Sequence, residues 1–435
     1  MDSTMRNVVK FVLAGAIVLV LVALAFAAGF SSSYVLTGSD VLPVQQSPTT
    51  SLVDTPLPTE SLEEEIVPTS TPVPIPTPEN ENEETFQLFW EVWNLVQSNY
   101  YGKLPDMQEV TYAAIEGMLE TLDDEYTAFM EPSVAAVLSE DATGEFEGIG
   151  AFVSMDDAGK LEIVEVFEEG PAQKAGVLAG DRVLEVDGVS IVGVSLYEAI
   201  GLIRGPANTD VTLLIEREGE PESLEITVTR ARLEIPIIEV EMRDDGIGYI
   251  RLYDFSAPAS ARTEEALEEL LAQDARGIVF DLRGNPGGWL DQSVKVSDLF
   301  LDNGVIVVER WSNGNERKFE ADPGDVGEEI PLVVLVNGGS ASAAEIVAGA
   351  LQDRERAILI GELTFGKGSV QRPFTLSDGS ELRVTSALWF TPNDRAIHGQ
   401  GLTPDIEVPW PDEEDWEPGT DPQLDRAVEY LLTGK

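Results

Sequence analysis

The chain has 435 residues, too many for one ordinary domain, and its 43% hydrophobic content is enough to build a substantial core. It contains no cysteine and a single histidine, His398, which removes thiol nucleophiles, disulfides, thiolate-bound zinc and His–His metal motifs, so neither metal nor other cofactor is expected. With 27 basic against 79 acidic residues the net charge is −52. Such a surface repels phosphate backbones, and nucleic acid is not an expected partner.

Phe11 to Phe30 is an uncharged, mostly apolar run long enough to cross a bilayer as a helix. Arg6 and Lys10 precede it and the next basic residue is Lys103, so the positive-inside bias keeps the short N-terminus cytoplasmic and puts the body outside. Residues 1–30 read as a transmembrane anchor that makes the chain a single-pass membrane protein. Ala25-Phe26-Ala27 also fits a signal-peptidase site, which would instead release a secreted or periplasmic protein. Residues 31–85 are rich in Ser, Thr, Pro and Glu, with ten acidic residues and no basic one. That composition cannot collapse and reads as a disordered spacer with polyproline II character around Thr69–Pro78.

From Phe86 the pattern becomes helical. Phe86, Phe89, Trp90, Trp93 and Val96 recur at helical spacing and read as a core stripe, and a second helix covers about Met107 to Leu122. Asp123-Asp124-Glu125 breaks that pattern before a third short helix, so residues 86–143 form an N-terminal helical region.

Residues 144–230 change to short β-runs punctuated by glycine: Gly148-Ile149-Gly150-Ala151-Phe152-Val153, Leu161–Val166, Gly170–Val177 and Gly180–Gly188 in turn. A helix near Leu196–Arg204 and a strand at Val211–Arg217 follow. In order and spacing this segment resembles a PDZ domain. The resemblance implies that Gly148, Ile149, Gly150 and Ala151 offer backbone N–H groups to the terminal carboxylate of a protein, whose tail adds as a strand and sets its last side chain in an apolar pocket.

Residues 231–435 alternate strands and helices. Gly277–Leu282 is a buried strand, followed by the loop Arg283-Gly284-Asn285-Pro286-Gly287-Gly288 and a helix near Leu290–Leu301. Pro331–Val336 is a second strand, leading through Asn337-Gly338-Gly339 into a helix that runs through Leu351, and Ala357–Ile360 is a third. Repeated strand–loop–helix units argue for an α/β layer with functional groups at the carboxyl ends of its strands. Asp421–Leu432 reads as a closing amphipathic helix.

Ser340-Ala341-Ser342-Ala343-Ala344-Glu345 lies where a buried strand gives way to a helix, so free amides and the helix dipole are at hand for a developing oxyanion. Ser342-x-x-Glu345 equally fits a capping box, and on that pattern alone the cap is the plainer reading. Lys367 shifts the balance. It is one of eight lysines and sits between two glycines just beyond a buried strand, where partial withdrawal from water lowers an amine's pKa and makes it a base. Gly361-x-x-x-x-Gly366-Lys367 nearly spells a phosphate loop. However, the next position is Gly368, and Val370–Phe390 reads as a β-hairpin where a phosphate loop must open a helix.

Together, Asp281–Gly288, Ser340–Ile346, Phe365-Gly366-Lys367-Gly368 and Gly399-Gln400-Gly401-Leu402-Thr403-Pro404-Asp405 resemble the C-terminal processing peptidases, or tail-specific proteases, of the Ser-Lys class. The resemblance runs from about Phe86 to the C-terminus. It implies a multidomain α+β and α/β protein whose protease core is of the ClpP/crotonase-like kind. It also implies Ser342 as nucleophile, Lys367 as general base, Gln371 positioning the lysine, and an oxyanion hole from Ala343 and either Gly287 or Gly288. Arg204 resembles a family arginine linking the PDZ domain to the core, and Ala344 stands where the family commonly has serine. The expected protein is thus an extracytoplasmic serine endopeptidase acting on proteins with apolar C-termini, with self-association left open. The alternatives are a tail-binding adaptor that does not cut, and a triad through His398, which the resemblance makes structural.

Overall fold

A computed structural model describes residues 81–435, apart from residues 157, 412–415 and 418. The apolar run Phe11–Phe30 and the spacer up to residue 80 lie outside the described residues. Among the described residues no helix is long and apolar enough to cross a membrane. Contacts divide the described chain into two units, residues 81–114 and 115–435.

Two helices open the chain, α1 (Glu81–Asn99) and α2 (Met107–Glu120). α1 starts five residues before the point where apolar periodicity begins. The stripe read as core is not buried. Phe86 and Trp90 are 57% and 44% exposed, and the rings cover one another instead, with Phe86 stacked on Phe89 and Phe89 edge-on to Trp90. Periodicity tells which side chains share a face but not what lies over that face.

The chain continues through β1 (Ala128–Met130), α3 (Pro132–Asp141) and β2 (Glu145–Gly148) into a small antiparallel domain. That domain comprises β3 (Ala151–Met155), β4 (Leu161–Val166), α4 (Pro171–Ala175), β5 (Arg182–Val186), β6 (Val189–Ser190), α5 (Leu196–Ile203), β7 (Asp210–Glu216) and β8 (Leu224–Thr229). Its sheet runs β3-β4-β5-β7-β8 with β6 on β5, and it has a core of its own built on Leu161, Ile163, Val183, Leu213 and Ile215. The first β-run expected from the sequence is two strands. β2 leaves the domain to pair with β9 (Ala231–Glu234), and Gly148-Ile149-Gly150 is the bend between β2 and β3.

The rest is layered: β10 (Ile238–Met242), β11 (Gly248–Leu252), α6 (Ala259–Ala272), β12 (Ile278–Asp281), α7 (Leu290–Asp298), β13 (Gly304–Trp311), β14 (Glu316–Ala321), β15 (Leu332–Val336), α8 (Ala343–Asp353), β16 (Ile358–Gly361), β17 (Ser369–Thr375), β18 (Glu381–Phe390), β19 (Ile406–Glu407) and α9 (Pro422–Thr433). The central sheet has the order β10-β11-β12-β15-β16-β19, parallel except for the β10–β11 pair. A parallel strand covered on both faces must be apolar at every position, and β15 is: Leu332, Val334 and Val336 pack with α6, α7 and α8, while Val333 and Leu335 pack with α9. A second, antiparallel sheet, β1-β18-β13-β14 with β17 on β18, carries the β-hairpin expected after Lys367.

The carboxyl end of β12 is clamped to α9. Arg283 Nη2 donates to Asp281 Oδ2 at 2.5 Å and to Asp421 Oδ2 at 2.8 Å, and Nη1 donates to Gln423 Oε1 at 3.0 Å. Asp281 is fully buried and also accepts the Tyr249 hydroxyl; the neighbouring guanidiniums hold its carboxyl below the usual range in spite of burial. Arg283→Met would leave that carboxylate buried without its cation. The expected loss is about 3–5 kcal/mol of unfolding free energy, read as a drop in urea midpoint, whereas Asp421→Asn, at the partly exposed end of the clamp, loses less.

Candidate active site

Four loops at the carboxyl ends of β11, β12, β15 and β16 converge. Ser342 is the N-cap of α8 and holds φ +54°, ψ −113°, a backbone conformation that stores about 1–3 kcal/mol in a residue with a Cβ and persists only where its surroundings enforce it. The enforcement is visible on both sides. Ala341 N–H donates to Asn285 O at 2.9 Å and Ser342 N–H to Glu345 Oε2 at 2.9 Å.

The two serines of the motif have different fates. Ser340 is fully buried, its hydroxyl donating to Leu282 O at 2.8 Å and accepting from Asn337 N–H at 3.0 Å, so it ties β12 to β15. Ser342 is half-buried at the bend itself.

Glu345 does more than cap. Its carboxylate is completely buried and takes four donors: Thr364 Oγ1 at 2.5 Å and Gly366 N–H at 2.7 Å on Oε1, Ser342 N–H and Lys367 N–H, both at 2.9 Å, on Oε2. One oxygen therefore holds the backbones of Ser342 and Lys367, 25 residues apart in sequence, within two hydrogen bonds of each other. Burial pushes this carboxyl up while the four donors pull it down. Capping-box spacing was its only signal in the sequence.

Lys367 is half-buried, and burial, helped by the Arg383 guanidinium, pushes its amine below the ordinary lysine value. Its Nζ lies 5.2 Å from the centroid of the Tyr126 ring. The lysine loop is backed by the Gly399–Asp405 segment: Gly399 N–H donates to Gly366 O at 2.9 Å, and Leu402 N–H to Thr364 Oγ1 at 2.7 Å. The Gln371 amide donates to Ser369 Oγ at 2.8 Å and Thr385 Oγ1 at 3.3 Å, so its recorded partners are neighbours of the lysine loop. His398 is exposed and sets its ring edge-on to Tyr126 at 5.8 Å; among the described residues no hydrogen bond reaches that ring, which leaves it without the carboxylate partner a triad requires.

Asn285, missed as a separate element, organises the glycine loop. Fully buried, it donates from Nδ2 to Leu252 O at 2.8 Å and accepts Gly287 N–H on Oδ1 at 2.8 Å. Gly287 has φ +101°, and a Cβ there would come within 2.8 Å of Ser342 Cβ and 2.9 Å of Ala343 N, so only glycine lets this loop approach the serine. Its neighbour Gly288 forms a parallel bridge with Phe255, in which Phe255 N–H donates to Gly287 O and Trp289 N–H to Phe255 O. That pairing uses neither the N–H nor the C=O of Gly288.

A second site lies on the antiparallel domain. Ala172 N–H donates to Ile149 O at 2.8 Å and Phe167 N–H to Gly150 O at 3.0 Å, pinning the Gly148–Ala151 bend by its carbonyls. Beside it a cleft of about 300 Å³ runs between β3 and α5, walled by Ile149, Phe152, Phe167, Ile200 and Ile203. Arg204 closes one end, with its guanidinium over the Phe146 ring at 4.7 Å and ion pairs to Glu140 at 2.8 Å and Asp141 at 2.6 Å on α3.

The chain thus joins a layered α/β core, in which one buried carboxylate ties a strand-end serine to a half-buried lysine, to a β-domain with an apolar cleft. The comparisons agree. Residues 246–408 match Peptidase family S41, residues 162–217 a PDZ domain, and residues 62–133 the activating protease CtpB N-terminal domain. The chain is 41% identical over 328 residues to a carboxy-terminal-processing protease of Bartonella bacilliformis, covering 74% of this chain and 75% of that one. It is 40% identical over 334 residues to a carboxyl-terminal-processing protease of Synechocystis, covering 76% and 78%. With the carboxy-terminal processing protease CtpA of Bacillus subtilis it shares 37% over 318 residues, 73% and 67% of the two chains. The chain belongs to peptidase family S41, the C-terminal processing peptidases, as a serine-type peptidase with a PDZ domain acting on the C-terminal regions of proteins.

Glu345→Gln tests the shared carboxylate. An amide nitrogen facing donors leaves at least one buried N–H or O–H unpaired, so unfolding free energy falls by about 2–4 kcal/mol. Peptidase activity is lost at temperatures where circular dichroism still reports a folded protein.

Proposed function

We propose that this is an extracytoplasmic endopeptidase in which the PDZ domain takes the apolar C-terminus of a protein and a Ser342–Lys367 pair cuts the chain upstream of it. The observation that carries this reading is the single Glu345 oxygen that accepts from both Ser342 N–H and Lys367 N–H. A capping box needs only the first of these bonds; the second has a purpose where a serine and an amine must be kept in register.

Neutral Lys367 takes the Ser342 proton as Oγ attacks the carbonyl carbon of the scissile bond, and the carbonyl oxygen becomes an oxyanion. Ala343 N–H, at the positive end of α8, stabilises that charge together with a glycine amide. Gly287 N–H is already committed to Asn285, which favours Gly288 for the role. The Lys367 ammonium then protonates the leaving amine, and water, deprotonated by the same lysine, releases the acyl group. Gln371 is assigned to the lysine's surroundings through the β17–β18 hairpin rather than by direct contact. In the tail cleft, the amides of the Gly148–Ala151 bend receive the terminal carboxylate and the phenylalanine and isoleucine walls receive its apolar side chain. Arg6 and Lys10 before the apolar run Phe11–Phe30 support a membrane-anchored or exported body.

Ser342→Ala and Lys367→Ala are each expected to lower cleavage of an apolar-tailed protein by at least about a thousandfold. Binding of the tail peptide, followed by fluorescence anisotropy, should stay at the native level. Sustained cleavage by purified Ser342→Ala protein overturns the assignment. Because the neutral amine is the active form and its pKa is depressed, kcat/KM should rise with pH along a limb set below the ordinary lysine value of about 10.4. A limb at that value would mean that Lys367 works as an exposed amine.

A further inference from the structure

Tyr126 belongs to none of the motifs that pointed to the site, yet its ring is recorded against the lysine: Lys367 Nζ lies 5.2 Å from its centroid. Its delivery is elaborate for a loop residue. β1 pairs with β18 in the register Ala128↔Arg383, Phe129↔Leu382, Met130↔Glu381. Just before β1, buried Thr127 accepts Thr385 N–H at 3.0 Å and donates to Asp124 Oδ2 at 2.5 Å, and Asp124 Oδ1 accepts Tyr126 N–H at 3.2 Å. Thr385 is also the residue that receives the Gln371 amide. Asp124, Thr127, Thr385 and Gln371 thus form one chain of hydrogen bonds along the hairpin that follows Lys367. The His398 ring also packs edge-on against Tyr126 at 5.8 Å.

We propose that Tyr126 is a positioning residue for Lys367, an aromatic wall that keeps water from the amine and confines it to the side facing Ser342. This rests on the Ser-Lys reading above. A ring face tolerates an ammonium but solvates it less well than water does, so the wall favours the neutral amine overall while leaving the cation stable enough to carry a proton to the leaving group. The charged and titratable groups that face this pair are Arg383 on β18 at the amine, Glu345 on α8 and Asp124 and Glu125 before β1 at the phenol, and His398 against the ring. Arg383 acts in the same direction as the wall. The phenol is not required for this role: among the described residues no hydrogen bond reaches its hydroxyl, and burial, with the charges of Glu125, Glu345 and Asp124, pushes its pKa further up.

The test is the pH dependence of kcat/KM for cleavage of an apolar-tailed protein by the full chain and its Tyr126→Leu, Tyr126→Met and Tyr126→Phe variants. Leu and Met open the wall to water. Their acidic limb should move to higher pH by about one unit, with roughly tenfold lower kcat near neutrality and KM for the tail unchanged. Phe should rescue most of that loss and bring the limb back. A native limb in Leu and Met variants that fold, as judged by thermal unfolding, overturns the proposal, as does a limb that moves as far in Phe as in Leu. If Leu fails to fold, the Met and Phe pair decides. If instead Lys367→Ala retains activity, the Ser-Lys reading itself is at fault, a result independent of anything at Tyr126.

Discussion

One buried carboxylate governs this active site. Glu345 has no exposed surface, and its four donors come from two separate segments: the serine bend, and the loop after β16, which brings the Thr364 hydroxyl and the backbone amides of Gly366 and Lys367. An unpaired buried carboxylate is too expensive to retain, so each donor must arrive for the others to be worth keeping. The strained Ser342 backbone is affordable only inside such an arrangement, because the bond to Glu345 fixes its N–H while Asn285 fixes the residue before it. A single buried carboxylate thereby holds the Ser342 and Lys367 backbones in register by hydrogen bonding.

The layered core explains why the segments meet there. β11, β12, β15 and β16 run parallel, so their carboxyl ends emerge on one edge of the sheet, and every loop that leaves this edge contributes: Phe255 after β11, Asn285 to Gly288 after β12, Ser342 after β15, Thr364 to Lys367 after β16. The second sheet then supplies the surroundings of the lysine side chain. Its hairpin begins two residues after Lys367, and the short β1 docked on β18 adds Tyr126 from more than two hundred residues upstream.

Much of this was readable in the sequence because it depends on local patterns. Continuous apolar runs at Gly277–Leu282 and Pro331–Val336 marked strands covered on both faces, and the change from strand to helix at Ser342 marked the bend. The glycine order of residues 148–188 marked the antiparallel domain. What stayed hidden depends on distance. Glu345 carried only a capping-box spacing, and nothing in that spacing announces donors from residues 364 to 367. Asn285 looked like one more letter of a loop, although its side chain spans from Leu252 O to Gly287 N–H. Tyr126 sat in an unremarked DEYT run, since the pairing of a three-residue strand has no periodicity to detect. The Phe86–Val96 stripe erred the other way: helical spacing was present, and the burial inferred from it was not.

The PDZ cleft and the Gly287–Gly288 loop are joined by a short run of contacts. Arg204, at the end of α5, lines the cleft and pairs with Glu140 and Asp141 at the end of α3. The next residue, Ala142, accepts Ala257 N–H through its carbonyl, and two residues before Ala257 stands Phe255, whose backbone is bonded to Gly287 and Trp289 on either side of Gly288. Burial pushes the Asp141 carboxyl up, and the Arg204 guanidinium offsets part of that rise. One cation therefore touches both the cleft and the α3 terminus, and that terminus is hydrogen-bonded to the segment whose Phe255 pairs with the Gly287–Gly288 loop.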